Sequence, residues 1–235
     1  KDTIICILHQ PHSKVRRVGK QIKKLGLEYI NIRPCLGETL PKDFINYRGV
    51  IIFGGPMSVY EKNKYSFLRD EIDWIKRVIE FDVPLFGICL GAQLIAKSIG
   101  GDVFPHSNKI HEIGYYPIFP EKEYVNSFEK QQTFYAYQWH KDTFTIPKEA
   151  SLIASGSKFN NQAFIYKEKT LAVQFHPELT ISVMKKWSQL ALNRNISGVQ
   201  TIKELEALAG KYEKNVRSWL NYQLKKLFIK QEIVK

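Results

Sequence analysis

The sequence predicts an α/β fold: a flavodoxin-like, mainly parallel sheet flanked by helices, with a mixed-strand second half and a C-terminal helical extension. Three observations carry that expectation. Short apolar runs bounded by turn residues alternate with helically periodic stretches through roughly the first hundred residues. Beyond residue 110 the pattern changes to shorter, aromatic-rich runs of strand length. From residue 202 onward, apolar positions recur every three to five residues, as on one face of a long helix.

Taken in order, Ile4 to Leu8 reads as the first strand and Lys14 to Leu25 as the first helix, whose Val15, Val18, Ile22 and Leu25 form a stripe that stops at Gly26. Tyr29 to Ile32 and Val50 to Phe53 are the next strands, and Leu68, Ile72, Ile75 and Ile79 mark a second helix. Val83 to Ile88 then runs as a buried strand directly into a helix from Ala92 to Ile99, ended by Gly100 and Gly101. In the second half Ile113 to Phe119, Thr133 to Trp139, Leu152 to Ser155, Ala163 to Tyr166 and Leu171 to Phe175 read as strands, the last two as a hairpin around Lys167 to Thr170. Helices over Ile181 to Leu192 and Ile202 to Ile229 close the chain, the last with Leu205, Leu208, Tyr212, Val216, Trp219, Leu224 and Leu227 on its packing face. This divides the chain into a domain over residues 1–195 and an extension over residues 196–235 packed on it.

At 235 residues, 44% hydrophobic and with 14 Gly and 10 Pro, the composition excludes disorder and collagen-like repeats. Apolar runs such as Val83 to Leu90, which Gly87 and Cys89 interrupt, fall far short of the ~20 residues a membrane-spanning helix needs, so a soluble protein without a membrane partner is expected. Lys plus Arg (35) exceed Asp plus Glu (23) by 12. Residues 1–30 hold seven basic and two acidic side chains and residues 201–235 eight and four, both in helical patterns, so the excess reads as solvated helix faces. No helix-turn-helix, zinc-finger or RNA-recognition signature argues for nucleic acid. Cys6, Cys35 and Cys89 cannot all pair within the chain, which suits a reducing, cytoplasmic setting. No signal peptide or transit segment is visible, and a start at Lys1 is compatible with a removed leader or a trimmed chain.

The chemistry concentrates in three segments. Phe86-Gly87-Ile88-Cys89-Leu90-Gly91 sits where a strand must turn sharply into a helix, with glycines two residues either side of the cysteine, the layout of a nucleophile elbow with Cys in place of Ser. A side chain would clash in so tight a turn, and the helix beginning there aims free N–H groups and a partial positive charge at the sulfur, favouring thiolate. A buried structural cysteine is the alternative. Gln174-Phe175-His176-Pro177-Glu178 ends a predicted strand; residues two apart point the same way, so Glu178 could orient the His176 imidazole toward a nucleophile. A satisfied core or surface histidine is the plainer reading. Phe53-Gly54-Gly55-Pro56-Met57-Ser58 ends a buried strand, where adjacent glycines let backbone N–H groups approach a substrate oxygen, unless the segment is simply a turn.

Together these segments resemble the class I, triad-type glutamine amidotransferases. Gly-Ile-Cys-Leu-Gly-Ala-Gln at 87–93 is similar to that family's cysteine motif and His-Pro-Glu at 176–178 to its His-x-Glu motif, in the right order and 87 residues apart (176 − 89). Gly-Gly-Pro-Met-Ser-Val-Tyr at 54–60, Trp139-His140-Lys141-Asp142-Thr143-Phe144 and Asn161-Gln162-Ala163-Phe164 resemble most the stand-alone members similar to the amidotransferase domain of GMP synthase. The resemblance runs from about residue 4 to about residue 190. It implies that Cys89 attacks the side-chain amide of glutamine to give a γ-glutamyl thioester, that His176 is general base and then acid, and that Glu178 orients it. It implies an oxyanion hole at the N–H groups of Gly55 and Leu90, and glutamine contacts from Gln93 and from the Trp139 to Asp142 segment, including His140. Lys141 departs from the pattern, which usually has Gly there, and that bears on the glutamine site.

Within these residues there is neither a phosphate loop nor a Ser-Gly-Gly-type ATP pyrophosphatase motif, so they do not make a complete GMP synthase. Three readings follow: a glutaminase or amidotransferase subunit serving an ammonia-accepting synthetase, a hydrolase of other γ-glutamyl amides or peptides, and a non-catalytic partner-binding module. The intact Cys89, His176 and Glu178 argue against the third. The C-terminal extension reads as core packing, a homodimer contact or a docking surface. His9 and His12, and His106 and His111, lack the company of a zinc site, so no metal is expected and the reaction needs no cofactor; His9 reads as a polar loop residue near the strand-end cleft.

Overall fold

The computed structural model describes residues 2–61 and 63–229. Its first half alternates strand and helix: β1 (Thr3–Ile7), α1 (Arg16–Lys24), β2 (Glu28–Ile32), β3 (Tyr47–Ile52), α2 (Phe67–Glu80), β4 (Leu85–Ile88) and α3 (Leu90–Ser98). Then come β5 (Val103–Pro105), β6 (Glu112–Pro120), β7 (Phe134–His140), β8 (Asp142–Phe144), β9 (Ser151–Gly156), β10 (Ala163–Tyr166), β11 (Thr170–Val173), α4 (Ile181–Asn193) and α5 (Ile202–Phe228). Among the described residues nine strands form one sheet in the order β2-β1-β3-β4-β11-β10-β9-β6-β7, while β5 and β8 pair separately. Strands β2, β1, β3, β4 and β11 run parallel, which is the flavodoxin-like order with β11 as fifth strand. From β11 to β7 every pairing is antiparallel.

The centre of the sheet is buried on both faces, and the alternation along β1 shows why. Ile4 and Cys6 join the core beneath α1 and α5, while Ile5 and Ile7 join the core beneath α2 and α3. The long last helix begins with a capping box, Thr201 Oγ1 accepting from the Glu204 N–H while the Glu204 carboxylate accepts from the Thr201 N–H. Leu205, Ala209, Val216, Trp219, Leu220, Leu224 and Phe228 are buried, so α5 is part of the main core. Its Trp219 packs on Phe128, Phe134 and Phe175 with ring centroids 5.2 to 6.0 Å apart. The extension expected over residues 196–235 is described to residue 229.

Several expectations shift. The third strand starts at Tyr47, three residues before Val50, and the fourth starts at Leu85 because Pro84 has no N–H to give the ladder. Strands β5 and β8, three residues each, were too short to show as alternation. On α2 the buried stripe carries Glu71, while Ile72 is only half-buried. The basic first helix is not simply a solvated face: Arg17 donates to the Leu179 carbonyl and pairs with Glu213 of α5, and Glu213 also accepts the Tyr115 hydroxyl at 2.6 Å. No described helix is long and apolar enough to cross a membrane.

Candidate active site

Cys89 leaves β4 with φ 53° and ψ −108°, a backbone conformation that costs a non-glycine residue on the order of 1–3 kcal/mol. The strain places the sulfur at the start of α3, where the first-turn N–H groups have no helical acceptor. The helix lies so close to β3 that a Cβ at Gly91 would sit 2.1 Å from the Ile52 carbonyl oxygen. The Cys89 N–H bonds the Val173 carbonyl at 2.8 Å, tying the elbow to β11. Its Sγ lies 3.7 Å from the Trp139 carbonyl and accepts from Gln174 Nε2 at 3.6 Å, while Gln174 Oε1 accepts from Gln93 Nε2 at 3.1 Å.

His176 follows β11, the strand shared between the parallel and antiparallel halves. Its N–H donates to the Tyr137 carbonyl at 2.8 Å, fixing the backbone. Nδ1 lies 2.8 Å from Glu178 Oε1, and both side chains are buried. Nε2 has no hydrogen-bond partner among the described residues. Burial disfavours the imidazolium, but Glu178 and then Cys89 more than offset it and hold the His176 pKa up to about 10. Trp187 meets the imidazole edge-on at 5.7 Å and also packs on Trp139.

Gly54 and Gly55 leave β3 beside these groups. A Cβ on Gly54 would lie 2.9 Å from His176 Cε1 and 3.4 Å from Cys89 Cβ; one on Gly55 would lie 2.7 Å from His9 Cβ and 2.9 Å from Leu90 Cδ2. Only glycines allow this approach. Among the described residues the N–H groups of Gly55 and Leu90 donate to no other group. A cleft of about 550 Å³ opens here, lined by Cys89, His176, Glu178, Gly54, Gly55 and Leu90 together with Gln93, Trp139, His140, Lys141 and Asp142. Such an arrangement can carry a thiol nucleophile, a proton carrier with a carboxylate behind it and two backbone donors for an oxyanion.

A family model described as glutamine amidotransferase class-I matches residues 12–189. The chain belongs to that family. It is 32% identical over 208 residues to a glutamine-hydrolyzing GMP synthase from Wigglesworthia glossinidia brevipalpis, covering 83% of this chain and 37% of that protein. It is 33% identical over 166 residues to a glutamine amidotransferase-like protein of Acanthamoeba polyphaga mimivirus, covering 70% of this chain and 73% of that one. The crystal structure of a glutamine amidotransferase from Thermotoga maritima superposes with a TM-score of 0.86 at 27% identity, over 97% of this chain and 98% of that one. The chain thus spans little more than a third of the first of these relatives. The family model ends before α5, but the structural likeness leaves out only 3% of the chain and reaches well into that helix.

Within this amidotransferase fold the residues expected to hold glutamine differ in availability. Asp142 lines the cleft, but its carboxylate already accepts the Ser58 hydroxyl at 2.6 Å and the Tyr60 hydroxyl at 3.2 Å. His140 has both nitrogens engaged, Nδ1 with the Asp142 carbonyl at 3.1 Å and Nε2 with Glu112 at 3.2 Å. Glu112 also accepts from Gln162, which accepts from Gln138, so His140 braces the cleft wall through a buried network. Lys141 is exposed at the cleft and its φ is not positive, so the backbone accepts this residue without strain. His9, expected in a polar loop, is instead fully buried against Glu71. Among the described residues no three His, Cys, Asp or Glu side chains gather to hold a metal, and His106 turns to the Lys158 carbonyl.

Sequence reasoning gave no role to Gln174, Ser58, Tyr60 or Trp187. The first three lie inside quoted motifs, and Gln174, two residues before His176, was legible by strand alternation. Trp187 carried no local signal, because only the packing of α4 brings it to the imidazole.

Proposed function

We propose that the protein hydrolyses the side-chain amide of glutamine through a γ-glutamyl thioester on Cys89, releasing glutamate and ammonia. The observation that carries this reading is the strained Cys89 at the start of α3, facing the same cleft as a His176 whose Nδ1 is held by Glu178. With the thiol's proton already held on His176 Nε2, the sulfur attacks the amide carbon as the thiolate. The oxygen gains negative charge and is met by the N–H groups of Gly55 and Leu90. As the C–N bond breaks, His176 gives its proton to the departing ammonia and the thioester remains. Water then loses a proton to His176 and attacks the thioester, and the C–S bond breaks to release glutamate and restore the sulfur. Ammonia would pass to a synthetase, on a separate chain or on further residues of the same one, as the GMP synthases among the relatives suggest. A reducing, cytoplasmic setting fits a working thiolate. Glutamate and ammonia release by wild type and by Cys89→Ala tests this: turnover by wild type alone is expected, and equal turnover by the variant would refute it.

A second reading has its own support. Lys14, Arg16, Lys141 and Arg194 line the cleft, and none has a carboxylate partner among the described residues. Arg16 holds φ 51° while its guanidinium lies 5.9 Å from the Trp187 ring centre, and burial, followed by the Lys141 charge, depresses the His111 pKa. So cationic a mouth suits a γ-glutamyl compound whose leaving amine bears a carboxylate. Comparing kcat/KM for glutamine with that for γ-glutamylglutamate decides between the two.

A further inference from the structure

His9, two residues past the end of β1, and Glu71, in the second turn of α2, are both completely enclosed. The imidazole Nε2 lies 3.1 Å from each carboxylate oxygen of Glu71, and Nδ1 lies 3.4 Å from the carbonyl oxygen of Gly54. A carboxylate and a carbonyl are both acceptors, so the ring satisfies them together only with a proton on each nitrogen. Burial works against that cation, and the adjacent Glu71 charge more than offsets it, raising the His9 pKa.

The Gly54 carbonyl belongs to the same planar unit as the Gly55 N–H. No cis peptide occurs in the described chain, and in a trans unit the C=O and the N–H point in opposite directions. A donor that pins the carbonyl on one side therefore fixes the direction of the N–H on the other. Two adjacent glycines would otherwise turn freely about that unit, because neither has a Cβ to resist rotation. The space on the Gly55 side is also closed, since a Cβ there would meet His9 Cβ at 2.7 Å. A buried ion pair adds little net stability over well-packed apolar residues, so its presence behind this loop asks for another reason.

We propose that the His9–Glu71 pair positions the Gly54–Gly55 peptide, holding the carbonyl back so that the Gly55 N–H faces the oxyanion. This rests on the Cys89 thioester reading above. Neither residue touches substrate; His9 acts through the peptide, and Glu71 acts through His9.

The shape of the two amides gives a sharp test. Asparagine can place its side-chain N–H near the position of imidazole Nδ1, and glutamine near that of Nε2. His9→Asn should keep the donor to the Gly54 carbonyl and His9→Gln should lose it while keeping a partner for Glu71. Glutamine hydrolysis by His9→Gln is expected to fall on the order of 100-fold in kcat with KM changed less than about threefold, the size of one lost oxyanion donor. His9→Asn should retain most of kcat. Alkylation of Cys89 by iodoacetamide forms no oxyanion and should proceed at the wild-type rate in both. A parallel loss of alkylation, or equal kcat in the two variants, would overturn the proposal by reducing the pair to a structural role. Crystal structures of wild type and His9→Gln add a readout independent of turnover, with a rotated Gly54–Gly55 peptide expected in the variant and an unmoved one counting against the idea. Should His9→Gln fail to fold, Glu71→Gln takes its place with a smaller expected drop in kcat. A wild type inactive on glutamine and on γ-glutamyl peptides, with the peptide rotating as expected, would instead refute the reading of Cys89 and leave the positioning intact.

Discussion

The two halves of the sheet contribute to the cleft in different ways. The parallel half, β2-β1-β3-β4-β11, supplies Cys89, Gly54, Gly55 and Leu90, and backbone geometry sets each in place: a left-handed φ that presents the Cys89 sulfur, a close approach, or a free N–H. The antiparallel half, with the separate β5–β8 pair and α4, supplies Trp139, His140, Asp142 and Trp187, whose side chains are held by packing and hydrogen bonds: Trp139 on Trp187, His140 on Glu112, and Asp142 by the Ser58 and Tyr60 hydroxyls that follow β3. His176 sits at the seam, with its strand paired to β4 on one side and β10 on the other and its N–H tied to Tyr137 of β7. Parallel strands end together at one edge of the sheet, so loops at that edge converge without help from side chains. The antiparallel half has no such shared edge and shapes its wall by packing. The backbone-built half should therefore tolerate almost no change in residue type, and the packed half should tolerate exchanges that conserve volume.

The largest break falls at the elbow. Cys89→Ala should lower glutamate release by at least ~10⁴-fold, since the proposed thioester forms on this sulfur. It should not relieve the strain, because alanine resists the same φ of 53°. Cys89→Gly should be equally inactive yet melt about 2–4 °C above Cys89→Ala, as expected for relief of about 1 kcal/mol in a chain of this length. Equal melting temperatures by calorimetry would show that the elbow is not strained.

Next in size is Glu178→Gln. The amide keeps a hydrogen bond to Nδ1 but cannot support the imidazolium, and kcat should fall by as much as about 10⁴-fold, as when a triad carboxylate is neutralised. The pH dependence carries a sign. A folded-state pKa of about 10 lies above the ordinary histidine value, so His176 contributes stability that is complete below about pH 6.5 and is lost as pH rises toward 10. Urea midpoints of wild type should decline across that window, and those of Glu178→Gln should decline less, because the main charge raising the pKa is gone. Parallel curves would mean that Glu178 is not what holds the proton on His176.

The same contrast explains what could be read in the sequence. In the parallel half the buried apolar runs and the glycines around Cys89 announce both fold and chemistry, because backbone constraints exclude other residue types. Boundaries moved where an isolated group decided them, as at Pro84. In the other half β5 and β8 were invisible, being shorter than one period of alternation can reveal. Glu71 was legible only as an oddity, a carboxylate three residues after Leu68 on the apolar stripe of α2. Nothing near it in the sequence names His9, 62 residues earlier, as its partner. The hydroxyls of Ser58 and Tyr60 on Asp142 were hidden for the same reason, since 84 and 82 residues separate the pairs. Local rules set local geometry; the pairs that cross the cleft appear only once the sheet has brought strand ends together.

Trp219→Ala tests the packed half. Trp219 is wholly buried and meets Phe175, the residue preceding His176, edge-on at 5.2 Å. Its loss should cost about 3–5 kcal/mol and lower the melting temperature by about 10 °C, while kcat at a temperature where the variant stays folded should fall less than about fivefold. Trp219→Phe should recover much of the stability. A kcat loss as large as that of Glu178→Gln would show that α5 positions His176 directly, and the division between halves would not hold.

The smallest effect is expected at Lys141, where the resembling motif usually has Gly. Its side chain is exposed and its backbone carbonyl accepts the His106 N–H at 3.0 Å, a bond glycine would keep. Lys141→Gly should therefore change stability by less than about 1 kcal/mol, as for a surface substitution away from any buried contact. With glutamine, kcat/KM should change by less than about threefold. With γ-glutamylglutamate, removing one of four cations at the mouth should lower kcat/KM by about three- to tenfold, an effect that 0.5 M salt should shrink, because exposed charges act through a screened field. A loss that is the same for both substrates would place Lys141 on the glutamyl carboxylate they share, and the cationic mouth would then recognise the donor itself and not what is attached to it.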